Sequence, residues 1–506
     1  MAKEIVQDNQ TDNDATYDHI VKYIGLFGGV QGLNMLIGII RNKITAFILG
    51  PSGIGLINIY NKVTSLIHQA TNLGISFSAV KHIAELSESK DNQRQDELID
   101  TVRIWCIITA ILGLLVGLVL SPWVSWWTFR NYNYTKTFCI LSLIVPMVTI
   151  TGGEIAILKG LKQLKKAALV SILAALGTLL TCVPFYYLME INGIVGALIT
   201  SNALVLGVHL YYSSKVAPWR KTITTLKSIK SGRTMAKLGI AYIFAGILGQ
   251  GADYIIISFI QNSGNLEWVG LYNTGYFLAI NIGSMLFVGV EADFFPRLSA
   301  ITNNVKRVNA TINRQIEVCV LFITPFLIAE IIAMPLMVKL LYTAEFSRAI
   351  PMAVYGVFYL FFKALTLPVA YLPLAKGDSK TYLCAELLYD VFAAVAIPFA
   401  FTRYGLTGAG MALSLAGLFD FVLIYIYFGA KYQFRLALGP VLNYLLQFTM
   451  LGISVYATSF DNPKLKWGAY ICALLISISL SYRTLCRETD IIKNLSEKIK
   501  NKLRKV

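Results

Sequence analysis

Fourteen apolar runs, each close to the roughly 20 residues a helix needs to cross a bilayer, fill most of this 506-residue chain. They fall at roughly 21–48, 55–80, 102–121, 137–158, 167–188, 192–213, 237–260, 267–290, 315–338, 349–374, 380–401, 405–429, 438–458 and 466–482. Lipid offers no partner to an unpaired peptide group, so such runs cross as helices that satisfy their own backbone. The predicted fold class is all-α integral membrane, with about 14 transmembrane helices.

Composition agrees. Only 14% of residues are charged and 56% are hydrophobic, against about 25% charged in soluble domains. The net charge of +16 does not mark a nucleic-acid binder, because the cations lie in short connectors and no basic module stands apart. With the N-terminus inside, the inner connectors hold groups such as Lys159, Lys162, Lys165 and Lys166, then Lys215, Arg220, Lys221, Lys227, Lys230, Arg233 and Lys237. The outer connectors hold only Arg130, Lys136, Lys339, Arg348, Arg403, Lys464 and Lys466. That is the positive-inside pattern of a cytoplasmic membrane, with both termini cytoplasmic and an even number of spans.

Residues 1–20 are polar and acidic and lack the pattern of a cleaved leader, so they read as a disordered cytoplasmic tail; Asp12-Asn13-Asp14 there is no metal motif. The seven cysteines form no C-x-x-C pair and read as small apolar fillers. The outer connector 122–136 carries Trp123, Trp126, Trp127, Tyr132 and Tyr134, rings that favour the headgroup layer.

The chain repeats itself at a spacing of about 215 residues. Gly55-Leu56 with Asn58 and Tyr60 matches Gly270-Leu271 with Asn273 and Tyr276, Lys159-Gly160 matches Lys376-Gly377, Pro184-Phe185 matches Pro398-Phe399, and Gly193 with Gly196-Ala197 matches Gly405 with Gly408-Ala409. Each unit has six spans, so the two share one orientation and are expected to relate by a pseudo-two-fold axis along the membrane normal. The expected division is a tail (1–20), a six-helix lobe (21–213), a basic cytoplasmic linker (214–236), a second six-helix lobe (237–429), two additional helices (430–482) and a basic tail (483–506). Two similar bundles that rock about a cleft suit a carrier.

Chemistry is sought where ionisable residues lie at lipid depth, since such groups face a cavity or a partner. The cations are Arg41, Lys43, Lys62 and Lys363. Arg41 precedes the turn at Gly50 by nine residues, which places it about 13 Å inside. Lys363 is mid-span, whereas Lys43 and Lys62 are near an end and can snorkel. Cations in a partly dry cavity suit an anionic diphosphate. Gln31, Asn34, Asn58, Asn61, Gln69, Asn72, Gln250 and Asn281 offer hydrogen bonds to sugars or to neighbouring helices. The acids are Glu154, Asp253, Glu330, Glu386, Asp390 and Asp420. Glu386 and Asp390 share a helical face; they either bind a coupling cation or proton, or Asp390 neutralises Lys363.

At the first hairpin the sequence resembles a known family. Gly38-Ile39-Ile40-Arg41, then Leu49-Gly50-Pro51-Ser52-Gly53-Ile54-Gly55-Leu56, Gly74-Ile75, Val80-Lys81-His82-Ile83-Ala84 and Leu158-Lys159-Gly160 resemble O-antigen flippases of the Wzx type. These belong to the polysaccharide-transport branch of the multidrug/oligosaccharidyl-lipid/polysaccharide exporter superfamily. The resemblance implies two six-helix lobes, alternating access and an undecaprenyl-diphosphate-linked glycan as substrate. Arg41 also matches the first-span arginine of related lipid II flippases, where that residue lies in the substrate cavity.

The expected function is translocation of lipid-linked oligosaccharide across a bacterial inner membrane. The partners are the glycan-lipid, membrane lipid and polysaccharide polymerase machinery. No cofactor is expected beyond coupling to a proton or sodium gradient. A multidrug cation antiporter of the same superfamily shares the plan but would favour an acidic cleft. An enzyme would need a sizeable water-facing catalytic loop, and the four histidines are scattered. A static scaffold has no use for a duplicated core with buried charges.

Overall fold

The computed structural model describes residues 2–89, 92–219, 244 and 246–488. Every element among them is a helix. The chain forms two compact units, Met1–Ile247 and Leu248–Val506. The linker from 220 to 243 and the tail beyond 488 lie outside the described residues.

In the first unit, helix Ala2–Thr71 bends at Gly50 (φ 62°, ψ −170°), and Pro51 opens its second arm. Proline is well suited to a first helical position, where its missing N–H costs no bond. Residues 2–20, expected as a disordered tail, are part of this helix; the stretch is polar but has no glycine or proline before Gly25 to end it. The run 55–80 is not one continuous span. It stops at Thr71, turns through Leu73 and Gly74 at positive φ, and resumes as helix Ile75–Ser89. The Asn72 side chain fixes this turn by accepting from the Gly74 N–H at 2.7 Å.

Helix Asn92–Phe129 runs through most of the supposed aromatic connector. Trp123 and Trp127, four residues apart, stack at 5.5 Å on one face, and only a short turn remains before helix Thr135–Leu141. Helices Ile144–Gly160, Leu164–Met189 and Ile194–Ser214 complete the unit. A core of Ile75, Ala79, Ile83, Val102, Cys106 and Ile157 joins the helix after the Asn72 turn to its two neighbours.

The second unit begins within helix 246–263 and continues with Leu266–Tyr276, a π turn at Phe277–Asn281 and Ile282–Ser299. Helices Val305–Leu341, Ile350–Gly356 and Phe358–Ala375 follow, then Ser379–Tyr432, bent at Gly405. Helices Val441–Ala457 and Pro463–Glu488 end the described chain. Gln447 is fully buried and bonded to the Ser477 carbonyl and the Ser477 and Ser481 hydroxyls, while Ser481 donates to the Leu321 carbonyl at 2.7 Å. This satisfied polar network pins the last hairpin to helix Val305–Leu341. Among the described residues, eight helical stretches are long and apolar enough to cross a membrane, and Gly32–Thr71, Leu164–Ser214 and Ser379–Tyr432 each join two predicted runs across a bend.

The internal repeat is held in the backbone at a constant offset of 215. Lys162 and Gly377 (377 − 162) both have positive φ, as do Glu190 and Gly405 (405 − 190). Leu161, Lys162 and Gln163 N–H groups donate to the carbonyls of Ile157, Lys159 and Leu158; Lys376, Gly377 and Asp378 donate to Leu372, Leu374 and Pro373, the same helix-ending turn. Asn58 donates to the Ile54 carbonyl at 2.9 Å and Asn273 to Val269 at 2.8 Å. A Cβ on Gly193 would lie 2.3 Å from the Phe185 carbonyl oxygen, and one on Gly408 would lie 2.3 Å from that of Ala400. Matching by residue identity had paired Gly160 with Gly377 and Gly193 with Gly405. The structural register differs by two or three residues, because Lys162 and Glu190 hold in the first unit the conformations that glycines hold in the second.

Candidate functional site

The first unit places Arg41 half-buried in helix Ala2–Thr71, within Coulombic reach of the buried Tyr186 on helix Leu164–Met189. Lys43 and Lys62 are half-buried and each interacts with other groups. Asn34 donates to Ser171 at 2.7 Å, tying the same two helices; the Gln31 side chain lies outside the described residues. His68 is part of a closed network. Its Nδ1 lies 3.0 Å from Thr149 Oγ1, its Nε2 lies 3.3 Å from Asn72 Nδ2, and Thr149 donates onward to Val145. Donation by Thr149 leaves its lone pair to accept from Nδ1–H, so Nε2 accepts from Asn72.

Glu154 is engaged. Arg103 Nε and Nη2 donate to its two oxygens at 3.1 and 3.2 Å, both side chains are nearly inaccessible, and Ser213 donates to the same carboxylate. The guanidinium also donates to the Ala217 carbonyl at 2.7 Å and lies 4.6 Å from the Trp219 ring centroid. This bidentate pair clamps helices Asn92–Phe129 and Ile144–Gly160 to the segment after Ser214. Arg103 stands at the edge of the predicted run 102–121 and is not among the cations singled out at lipid depth, so the sequence alone does not pair it with Glu154.

The second unit gathers the remaining candidates. Lys363, half-buried on helix Phe358–Ala375, is within Coulombic reach of Tyr359, Asp420, Glu386 and Tyr382. Asp390 senses Glu386, Asp253, Lys363 and Asp420. Tyr272 and Tyr276 face Asp253, and Tyr276 also faces Lys363. Tyr359 and Tyr389 face each other with ring centroids 6.3 Å apart. One lysine, four acids and several phenols from five helical segments therefore share one locus. Asp253 and Tyr382 have further interactions, and the Gln250 carbonyl oxygen is buried without a hydrogen-bond partner among the described residues. Sequence reasoning found the ionisable members but not the tyrosines, whose spacing of three and four from the charged positions (Tyr359 and Lys363; Tyr382, Glu386, Tyr389 and Asp390) was the available signal.

The duplicated backbone isolates what is special about this locus. At the offset of 215, Lys363, Glu386, Asp390 and Asp420 correspond to Val148, Ser171, Ala175 and Val205, and Glu154 corresponds to Val369. The fold is repeated and its charges are not.

The sequence from 44 to 351, more than half of the chain, matches the family described as "Polysaccharide biosynthesis protein". The chain belongs to that family. Comparison with characterised protein sequences gives no match. Solved structures share the fold. A multidrug resistance MATE family transporter of the MOP superfamily, in an inward-facing conformation, superposes with a TM-score of 0.64 at 14% identity, over 79% of this chain and 94% of that one. The lipid II flippase MurJ, inward closed, gives 0.61 at 16%, over 91% and 99%. A MOP superfamily transporter from Pyrococcus furiosus gives 0.54 at 12%, over 81% and 96%. The chain is thus a multi-span membrane member of that family, with the helical fold these solved structures share.

Proposed function

We propose that this family member is a flippase that carries undecaprenyl-diphosphate-linked oligosaccharide, an O-antigen or similar surface-polysaccharide unit, across the bacterial cytoplasmic membrane by alternating access. The match to a polysaccharide biosynthesis family over residues 44–351 carries this reading, and the likeness to a lipid II flippase over 91% of the chain supports the mode of transport. Arg41 is the residue proposed to meet the diphosphate. It is half-buried, about 13 Å from the turn at Gly50, and a guanidinium binds phosphate oxygens in pairs. Lys363 with Asp390, Glu386 and Asp253 is proposed as the coupling centre, where a cation or proton alters the balance between one lysine and its acids.

The acid excess around Lys363 also suits an organic cation, which favours the antiporter as the second reading. Purified protein in vesicles with a defined undecaprenyl-diphosphate glycan, with and without sodium and proton gradients, distinguishes the two. Glycan-lipid should cross and Arg41→Ala should abolish crossing at normal protein abundance. Export of cationic dyes without glycan-lipid movement would establish the antiporter instead.

A further inference from the structure

Helix Val305–Leu341 carries a carboxyl group that the proposed cycle does not use. Glu330 is 4% exposed, and among the described residues neither of its oxygens has a hydrogen-bond partner. Its surroundings are apolar. A Cβ built on Gly283 would lie 3.6 Å from Glu330 Oε2, and 2.4 and 3.5 Å from Leu360 and Leu327. Gly283 thus leaves open the notch in which the acid sits. It lies two residues past the π turn Phe277–Asn281, an irregularity of the kind often found where helices serve a function.

Among the described residues, no charged or titratable group of the packed helices hydrogen-bonds to Glu330. Lys363 on Phe358–Ala375 faces Asp420 and Glu386, and Arg297 on Ile282–Ser299 bonds Gln315. Tyr444 on Val441–Ala457, whose hydroxyl has no hydrogen-bond partner among the described residues, lies within Coulombic reach of Glu317. Arg348, in the 3-10 turn Ala344–Ala349, pairs with Glu267. Lys466 at the start of Pro463–Glu488 donates to the Thr458 carbonyl. A carboxylate anion with neither hydrogen bond nor countercharge cannot be held at such burial, whereas the neutral acid can.

We propose that Glu330 is a proton-binding site, separate from the Lys363 locus, that holds its proton in this conformation and releases it to water when the notch beside Gly283 opens. On release the O–H bond breaks, the electron pair stays on the carboxylate and the proton passes to water. The reading that the protein flips glycan-lipid is not needed for the test, so the two can fail independently.

Dicyclohexylcarbodiimide discriminates, because it enters apolar sites and reacts with protonated carboxyls. The carboxyl proton moves to a nitrogen, the carboxylate oxygen adds to the central carbon, and the O-acylisourea rearranges to an N-acylurea that retains the whole reagent. In the full-length protein in lipid, the peptide containing Glu330 should carry the adduct at about pH 7, where a carboxyl with the ordinary value of about 4.3 is ionised, while the exposed Asp461 stays unmodified. Infrared spectra at the same pH should show a protonated carboxyl band that is missing in Glu330→Gln. No adduct on Glu330 at any pH, or a band unchanged by Glu330→Gln, overturns the proposal. So does a Glu330→Gln protein that fails to fold, because the amide has the shape of the neutral acid and should be tolerated.

Discussion

Arg103 and Glu154 show how a buried charge pair acts when its geometry is complete. The guanidinium satisfies both carboxylate oxygens and two further acceptors, so removal of one partner leaves the other charge stranded. Glu154→Ala should therefore lower stability by about 3–5 kcal/mol, read as reduced thermal stability in detergent; an unchanged melting curve would show that water already reaches the pair. Asp378 illustrates the opposite case at the surface. It caps helix Ser379–Tyr432 through the Thr381 N–H and hydroxyl, and it also takes Lys431 and Tyr432 from the far end of that bent helix. Lys431 first, then the Tyr432 and Thr381 donors, hold its carboxyl well below the usual carboxylate range. A depressed folded value means the contribution is present above the unfolded value of about 4 and is lost as pH falls below it. Asp378→Asn should melt below the parent at neutral pH, with the gap closing in acid; a gap independent of pH would assign the effect to shape rather than charge.

Individual elements follow the apolar runs, with boundaries moved by turn chemistry. Helix Asn92–Phe129 is 38 residues and helix Val305–Leu341 is 37, both longer than the runs that signalled them, because a helix continues past the lipid edge wherever nothing ends it. The break at Asn72 went unread because Leu73-Gly74 sits inside an apolar run and the decisive bond is a side-chain cap. The repeat was visible in the sequence, but its register was not. Glu190 occupies a backbone conformation (φ 49°) that its counterpart Gly405 (φ 58°) adopts freely. Glu190→Gly should raise stability by about 1 kcal/mol, and Gly405→Glu should lower it by a similar amount, both measured by chemical unfolding in micelles. Equal and negligible shifts would contradict the equivalence of the two turns.

For the whole molecule, the all-helical membrane class and the duplication were legible from hydropathy and spacing alone. The grouping of Lys363 with Asp253, Glu386, Asp390, Asp420 and the tyrosines was not, since it depends on five segments converging from across the second unit. The mismatch between a repeated backbone and unrepeated charges is the main functional pointer: one scaffold occurs twice in the chain and carries distinct ionisable sets. On the proposed reading, Arg41 in the first unit would meet an anionic headgroup and the acid-rich locus in the second would serve coupling. The most direct measurement follows a fluorescent undecaprenyl-diphosphate disaccharide in proteoliposomes holding either the parent protein or Arg41→Ala. The account predicts inward-to-outward transfer that depends on the parent protein and falls to the protein-free level in the variant. Equal transfer by both proteins would contradict it.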